Sequence, residues 1–315
     1  MVRGHIAVVD GTGTLLGGAG DPAAVTTLRS CVKPLQALPF IRRAADVLGA
    51  SDEEIAVACA SHGGEPVHVE TVLRLLGRIG LGADRLSCGP QLPFDEPSAR
   101  ALLAGGGTPG RIHNNCSGKH AAMLLVCAVA GWPVEGYAAY DHPLQVEIRG
   151  LMGEFGDIDL DAEPHGIDGC GLPTHGISLT RLARMFAAAA DDPGFRRCQD
   201  AMTAHPHLVA GRGRFDTALL GAAGGAVTVK GGGAAVWVAV RRPAGPAVAI
   251  KLEAGDAAAM PAVALAAVSS LGWVDASALG GGALAPFAHP AMRNWEGTEV
   301  GSITAEPAWT AGLGG

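Results

Sequence analysis

Strand-like segments stand at the two ends of this chain and helix-like segments fill its middle. That arrangement constrains the fold more than any single motif. The opening stretch HIAVVDGTGTLLG, from His5 to Gly17, alternates around an Asp-Gly turn and predicts a hairpin. Far along the chain, AVTVKGGGAAVWVAVRRPAGPAVAIKLE, from Ala226 to Glu253, reads as further antiparallel strands. Between them, EPVHVETVLRLLGRIGLG, SARALLAGGG, RIHNNCSGKHAAMLLVCAVAGWP, SLTRLARMFAAAADDP and GFRRCQDAMTAHP carry helical spacing or glycine and proline stops. A last helix is expected from about Ala257 to Leu271, and the tail EGTEVGSITAE is expected to return as an edge strand. The fold class that follows is α/β (α+β). An antiparallel sheet is built from both chain ends and flanked by helices, with a helical portion inserted. Residues 1–315 form one catalytic unit in this reading. If it divides, residues 1–60 plus 210–315 make the α/β part and 61–209 the mainly helical part.

The chain has 315 residues, 48% hydrophobic but only 4% aromatic, so its core is made of small aliphatic side chains. A net charge of −7 with no basic run excludes a nucleic-acid binder, which must neutralise phosphates. MVRGHIAVVDGTGTLL has no signal-peptide layout, and no uninterrupted apolar stretch reaches membrane-spanning length. Seven cysteines, an odd number without a CxxC pair, fit free thiols in a reducing cytoplasm.

RSCVKPLQALPF, from Arg29 to Phe40, sets Ser30 three residues before Lys33. Pro34 has no N–H and is tolerated only in a helix's first turn, so Ser30 should lie at or just before a helix start. A hydroxyl beside an amine is an arrangement for an activated nucleophile. The amine is a base only when neutral. Its ordinary pKa of about 10.4 must fall by about 3 to be half-neutral near pH 7.5, at a cost of roughly 4 kcal/mol. The apolar flank Val32, Leu35, Leu38 and Phe40 makes burial the natural means. By itself S-x-x-K also fits a capping serine and a solvated lysine. Two further pieces favour chemistry. ASHGG puts Ser61 at the end of an apolar segment, and VTVKGGG puts Lys230 on a strand followed by glycines. The order S-x-x-K, serine-led loop, strand K-x-G is the layout of serine β-lactamases and penicillin-binding proteins, in logic rather than in letters.

HNNCSGKHAAM and GIDGCGLPTHG each hold a cysteine, Cys116 and Cys170, in a polar setting. They read either as small buried hydrophobes or as a zinc site completed by Lys119, His120 or Asp168. Cys31, Cys59, Cys88, Cys127 and Cys198 read as filler. Arg214 could clamp a substrate carboxylate or form a structural ion pair with Asp216, and the residues alone favour the pair.

Taken together, RSCVKPLQALP, ASHGGEPVHV, NNCSGKHAAML, GIDGCGLPTHGISL, MTAHPHLVAGRGRFDT and VTVKGGG resemble the rhizobial-type, thermolabile asparaginases of the Asparaginase II family. The resemblance runs from Arg29 to Gly233, with compatible ends, and rests most on NNCSGKH and DGCGLP. It implies hydrolysis of L-asparagine to L-aspartate and ammonia, a fold similar to serine β-lactamases and class A glutaminases, and a cytoplasmic homodimer. It implies two Ser–Lys pairs, Ser30 with Lys33 and Ser61 with Lys230. It also implies a zinc ion (Zn2+) held by Cys116, Cys170 and Lys119. Arg29, His62, Asn115, Asp168 and Arg214 are expected around the substrate. In that mechanism Ser30 attacks, Lys33 takes its proton, aided by the charge of Lys230, and Ser61 relays a proton to the leaving ammonia. The family usually reads K-x-G-A-E-G after the strand lysine; here Lys230 is followed by Gly-Gly-Gly-Ala-Ala, with Ala234 in the glutamate's place. The alternatives are a β-lactamase-like or peptidase-like serine acyl hydrolase and a non-catalytic zinc- or amino-acid-binding protein.

Overall fold

The structure, a computed structural model, describes residues 1–306, 309–311 and 313. The strands are β1 (Gly4–Val9), β2 (Leu15–Ala19), β3 (Val25–Thr27), β4 (His165–Ile167), β5 (Pro173–Ser178), β6 (Val227–Gly232), β7 (Val236–Arg241), β8 (Ala247–Leu252), β9 (Ala291–Arg293) and β10 (Glu299–Ser302). The helices are α1 (Lys33–Gln36), α2 (Asp52–Ala58), α3 (Pro66–Gly77), α4 (Glu96–Ala104), α5 (Ser117–Ala130), α6 (Pro143–Gly156), α7 (Leu179–Ala189), α8 (Pro193–Ala204), α9 (Pro206–Val209), α10 (Phe215–Ala223), α11 (Met260–Ser270) and α12 (Ala285–Ala288). Two compact units emerge, and the chain passes between them more than once. One comprises residues 1–31, 176–190 and 218–315; the other comprises 32–175 and 191–217. The crossings thus fall at 31/32 and 217/218 rather than near 60 and 210, and residues 176–190 join the sheet unit.

The first unit is built on a five-stranded antiparallel sheet in the order β2-β1-β8-β7-β6. Strands from both chain ends meet at its centre, where Ala7 pairs with Ala249 and Val8 with Val248. Ile6, Ala7, Val8 and Val9 are all inaccessible to solvent, so β1 is covered on both faces. α7 packs on β1, β7 and β8. Its start is fixed by Ser178, whose Oγ accepts the Arg181 N–H at 3.3 Å, and it buries Leu182, Met185 and Phe186. Each such side chain contributes about 2 kcal/mol of burial. The tail does form a strand, but β10 pairs with β9 in a separate hairpin rather than as an edge of the main sheet. Two apolar residues, Met292 and Val300, remain exposed on that hairpin, so it lacks an apolar face buried against the sheet.

The second unit is helical around α5, whose residues from Ser117 to Cys127 are all buried. α2, α3 and α6 pack against it, and α8 packs on α2. α5 stops where Gly131 takes a left-handed φ of 69°, as its glycine predicts. α2 opens with a capping box in which Ser51 and Glu54 satisfy each other's N–H groups. The short pair β4–β5 matches His165 with His175. Among the described residues, no helix is long and apolar enough to cross a membrane.

The expected helix near Ser30 begins at Lys33. Residues Arg29–Val32 wind as a 3-10 turn ahead of it. Pro34 explains the boundary, since an N–H is dispensable only in the first turn. Pro39 interrupts the run again, and Phe40–Ala45 continues as a π-helix.

Candidate active site

The helical unit carries most of the chemistry. Lys33 heads α1, and its side chain is fully buried. α2 ends just before Ala60 and Ser61 and delivers both to the Lys33 amine. The Nζ donates to Ala60 O at 2.5 Å, meets Ser61 Oγ at 3.0 Å, and lies 3.4 Å from Asn115 O. Burial holds the Lys33 pKa below its ordinary value; Cys116 opposes this and the Lys119 charge reinforces it. Two carbonyls can take the two hydrogens of a neutral amine, leaving its lone pair for the Ser61 O–H. The arrangement therefore allows Lys33 to act as a base on Ser61.

Lys119 occupies the next turn of the same neighbourhood and behaves oppositely. It is buried on α5, with Nζ 3.2 Å from Cys170 Sγ. Cys116 and Cys170 are both buried and share a thiol hydrogen bond, and Cys116 Sγ also donates to Asn115 Oδ1 at 3.1 Å. Burial disfavours the Lys119 ammonium, but Cys170 and Cys116 outweigh it and raise its pKa. The bond between them acts on the two thiols in opposite directions. The bond from Cys170 pulls Cys116 well down, and the same bond pushes Cys170 up. Of the three groups considered beside the sulfurs, Lys119 is the one against them. His120 Nδ1 is bonded to Tyr137 OH at 2.7 Å, and the Asp168 carboxylate accepts its own loop's Gly169 N–H at 2.6 Å while facing Lys119 electrostatically.

The remaining expected residues are placed as follows. His62 is fully buried and its ring is used inside the protein. Nδ1 accepts the Gly64 N–H at 3.1 Å, so Nε2–H donates to Ser117 Oγ at 3.0 Å, and Ser117 passes its own proton to Ile112 O at 2.9 Å. Asn115 ties the site together through its carbonyl, which also accepts the His62 N–H at 3.2 Å, and through its side-chain amide to Gln91 at 3.0 Å. Arg214 is exposed, with its guanidinium 5.7 Å from the centre of the Phe94 ring. Cys31, Cys59, Cys88, Cys127 and Cys198 are buried free thiols, as expected of filler; burial pushes Cys88 up to about 12 and Cys127 up to about 11.

The sheet unit holds the other hydroxyl and amine. Lys230 lies on β6 opposite Val238, buried, with Nζ donating to Gly231 O at 2.7 Å. Gly232 follows on the same strand face. A Cβ there would stand 3.0 Å from the Cys31 nitrogen and 3.3 Å from the Ser30 nitrogen. The strand thus abuts the backbone of half-buried Ser30, and only glycine lets it come so close. Arg29 precedes it at φ 50°, with its side chain beside Gly233.

One cluster had no signal in the sequence. Glu65, His68 and His207 bring ligand atoms within 4.8 Å of one another. It is not built for a metal. His68 Nδ1 accepts the Glu65 N–H at 3.2 Å and its Nε2–H donates to His207 O at 3.0 Å, so neither nitrogen is free to coordinate.

In this mixed α/β protein one buried lysine faces a serine and a second faces a cysteine thiol. A family model of L-asparaginase II matches residues 1–305, and the chain belongs to that family. Membership makes it an amidohydrolase acting on a small molecule, asparagine. No curated protein matches the chain.

Proposed function

We propose that the chain hydrolyses L-asparagine to L-aspartate and ammonia by serine–lysine chemistry. The observation that carries this reading is the Lys33 amine, buried, lowered in pKa and 3.0 Å from Ser61 Oγ. Lys33 in its neutral form takes the Ser61 proton while Oγ forms a bond to the side-chain amide carbon. The C–N bond then breaks as the Lys33 ammonium returns that proton to the leaving nitrogen, which departs as ammonia, and water cleaves the resulting ester to release aspartate. This reading departs from the expected pairs, Ser30 with Lys33 and Ser61 with Lys230: it sets Lys33 against Ser61 and leaves Ser30 and Lys230 as the second hydroxyl and amine, with β6 abutting the Ser30 backbone.

Cys116, Cys170 and Lys119 would hold a zinc ion. Two buried sulfurs and a nitrogen form the soft donor set that zinc accepts, and the cation already placed against those sulfurs by Lys119 supports the fit. When bound, the metal would supply a positive charge that orients the amino-acid end of the substrate. The same reading makes the working protein a cytoplasmic homodimer, in keeping with seven cysteines outside any disulfide. The deciding experiment is ammonia release from asparagine, glutamine and a chromogenic β-lactam, with metal content measured in parallel. Turnover of asparagine that disappears in Ser61→Ala and in Lys33→Ala supports the proposal. Full turnover in either variant, or hydrolysis of the β-lactam alone, refutes it. Comparing Ser30→Ala in the same assay apportions the work between the two serines.

A further inference from the structure

Glu65 takes no part in the chemistry above, yet its carboxylate is nearly buried, at 5% exposure. It sits at the N-terminus of α3, four residues after Ser61. Donors from one distant segment converge on it. Arg212 N–H reaches Oε1 at 2.9 Å, while His207 Nε2 at 3.1 Å and Arg212 Nη2 at 3.4 Å reach Oε2. Gly211 permits the approach. Its φ is +112°, and a Cβ there would stand 2.6 Å from Glu65 Oε1. Two more ties run in parallel. His68 Nε2–H holds His207 O at 3.0 Å, and Asp95, whose N–H bonds Gly63 O at 2.9 Å, lies 3.7 Å from Arg212 Nε. In the middle of that clamped segment, Val209 O accepts the Ser61 N–H at 2.9 Å. A buried carboxylate is costly unless charge-assisted bonds satisfy it, and here those bonds all go to the stretch that seats Ser61.

We propose that Glu65 is a positioning residue: by clamping residues 207–212 it fixes the Val209 carbonyl that seats Ser61 against the Lys33 amine. The proposal deepens the reading of Lys33 and Ser61 given above and rests on it for its kinetic consequence. Its structural consequence, the security of the Ser61 N–H bond, can be read without any turnover.

The test uses the full-length protein and three variants. Glu65→Gln keeps an oxygen for the Arg212 N–H and should retain about a third or more of the wild-type kcat. Glu65→Ala should lower kcat by about 10- to 100-fold with KM within about threefold, as expected when a reacting group is displaced by a fraction of its working distance. The double variant His207→Ala/Arg212→Ala alters side chains 46% and 62% exposed and serves if Glu65→Ala does not fold. It should lower kcat by about three- to tenfold, again with KM little changed. Hydrogen exchange followed by mass spectrometry supplies the second reading. Exchange at Ser61 should accelerate at least about tenfold in Glu65→Ala and in the double variant, and stay unchanged in Glu65→Gln. Unchanged Ser61 exchange in folded Glu65→Ala or in the double variant overturns the proposal. So does a kcat within twofold of wild type in folded Glu65→Ala or in the double variant, or a glutamine variant as impaired as the alanine one. If the wild type releases no ammonia from asparagine, the reading of Lys33 and Ser61 fails, and the exchange arm still decides whether Glu65 positions Ser61.

Discussion

Lys33 and Lys119 lie in the same helical unit at nearly the same depth, 0% and 2% exposed, and are driven in opposite directions. Around Lys33 stand two carbonyls and a hydroxyl, with Cys116 and Cys170 favouring its charge and Lys119 opposing it, and burial prevails, lowering its pKa. Around Lys119 stand two sulfurs, and although burial is the largest single influence here too, Cys170 and Cys116 together overrule it. Burial fixes the cost of a charge, and the partners decide whether that cost is met. Burial, reinforced by the Lys119 charge, leaves Lys33 suited to accept a proton. Beside the two thiols the ammonium form of Lys119 is favoured.

The sharpest way to break this contrast is to remove the base. Lys33→Met should lower kcat/KM for asparagine by about 1000-fold or more, whereas residual activity within tenfold would show that the amine is not the proton acceptor. The next largest effect belongs to the sulfurs. Cys116→Ala or Cys170→Ala should reduce bound zinc from about one per chain to background, read by elemental analysis after dialysis. Zinc retained in both variants would separate the thiols from metal binding.

A pH series sharpens the same point. With neutral Lys33 as the proposed base and its folded pKa below 10.5, kcat/KM should rise with pH through that lowered value and level off before 10.5. Cys116 raises the Lys33 pKa, so in whatever activity Cys116→Ala retains, the rise should move to lower pH. A rise displaced upward would contradict the electrostatic order described here.

The smallest effect extends the comparison to the third buried lysine. The strand of Lys230 ends in a turn through Ala234 and Ala235, at φ 58° and 52°, a region that favours glycine. Ala234→Gly should stabilise the protein by about 1 kcal/mol in urea unfolding, since the left-handed penalty there exceeds the added chain entropy. A destabilised variant would mean the alanine methyl makes packing contacts worth more than the strain.

Much of this was legible locally. The hairpin β1–β2, the strand carrying Lys230 and the glycine stop of α5 follow from alternation, the Asp-Gly turn and a residue free to take positive φ. The placement of Cys116 and Lys119 on one side of α5 follows from their separation of three residues. The tail was less legible. An exposed alternating strand looks the same whether it edges a sheet or pairs with its own neighbour, and β9 and β10 form their own hairpin. His62 was expected at the substrate, but the donor and acceptor that occupy its ring come from Gly64 and Ser117 and leave no local trace.

The sequence by itself determined the main helices and strands, their glycine and proline stops, and which segments carry an apolar face. These properties depend on neighbours within a turn or two, through periodicity and through the missing N–H of proline. Only the tertiary structure decided the partners. Ser61 reaches Lys33 across 28 positions and Glu65 reaches Arg212 across 147, because separate helices pack around α5 and bring those groups to hydrogen-bonding distance. Protonation states followed those partners, which is why two equally buried lysines ended with opposite tendencies.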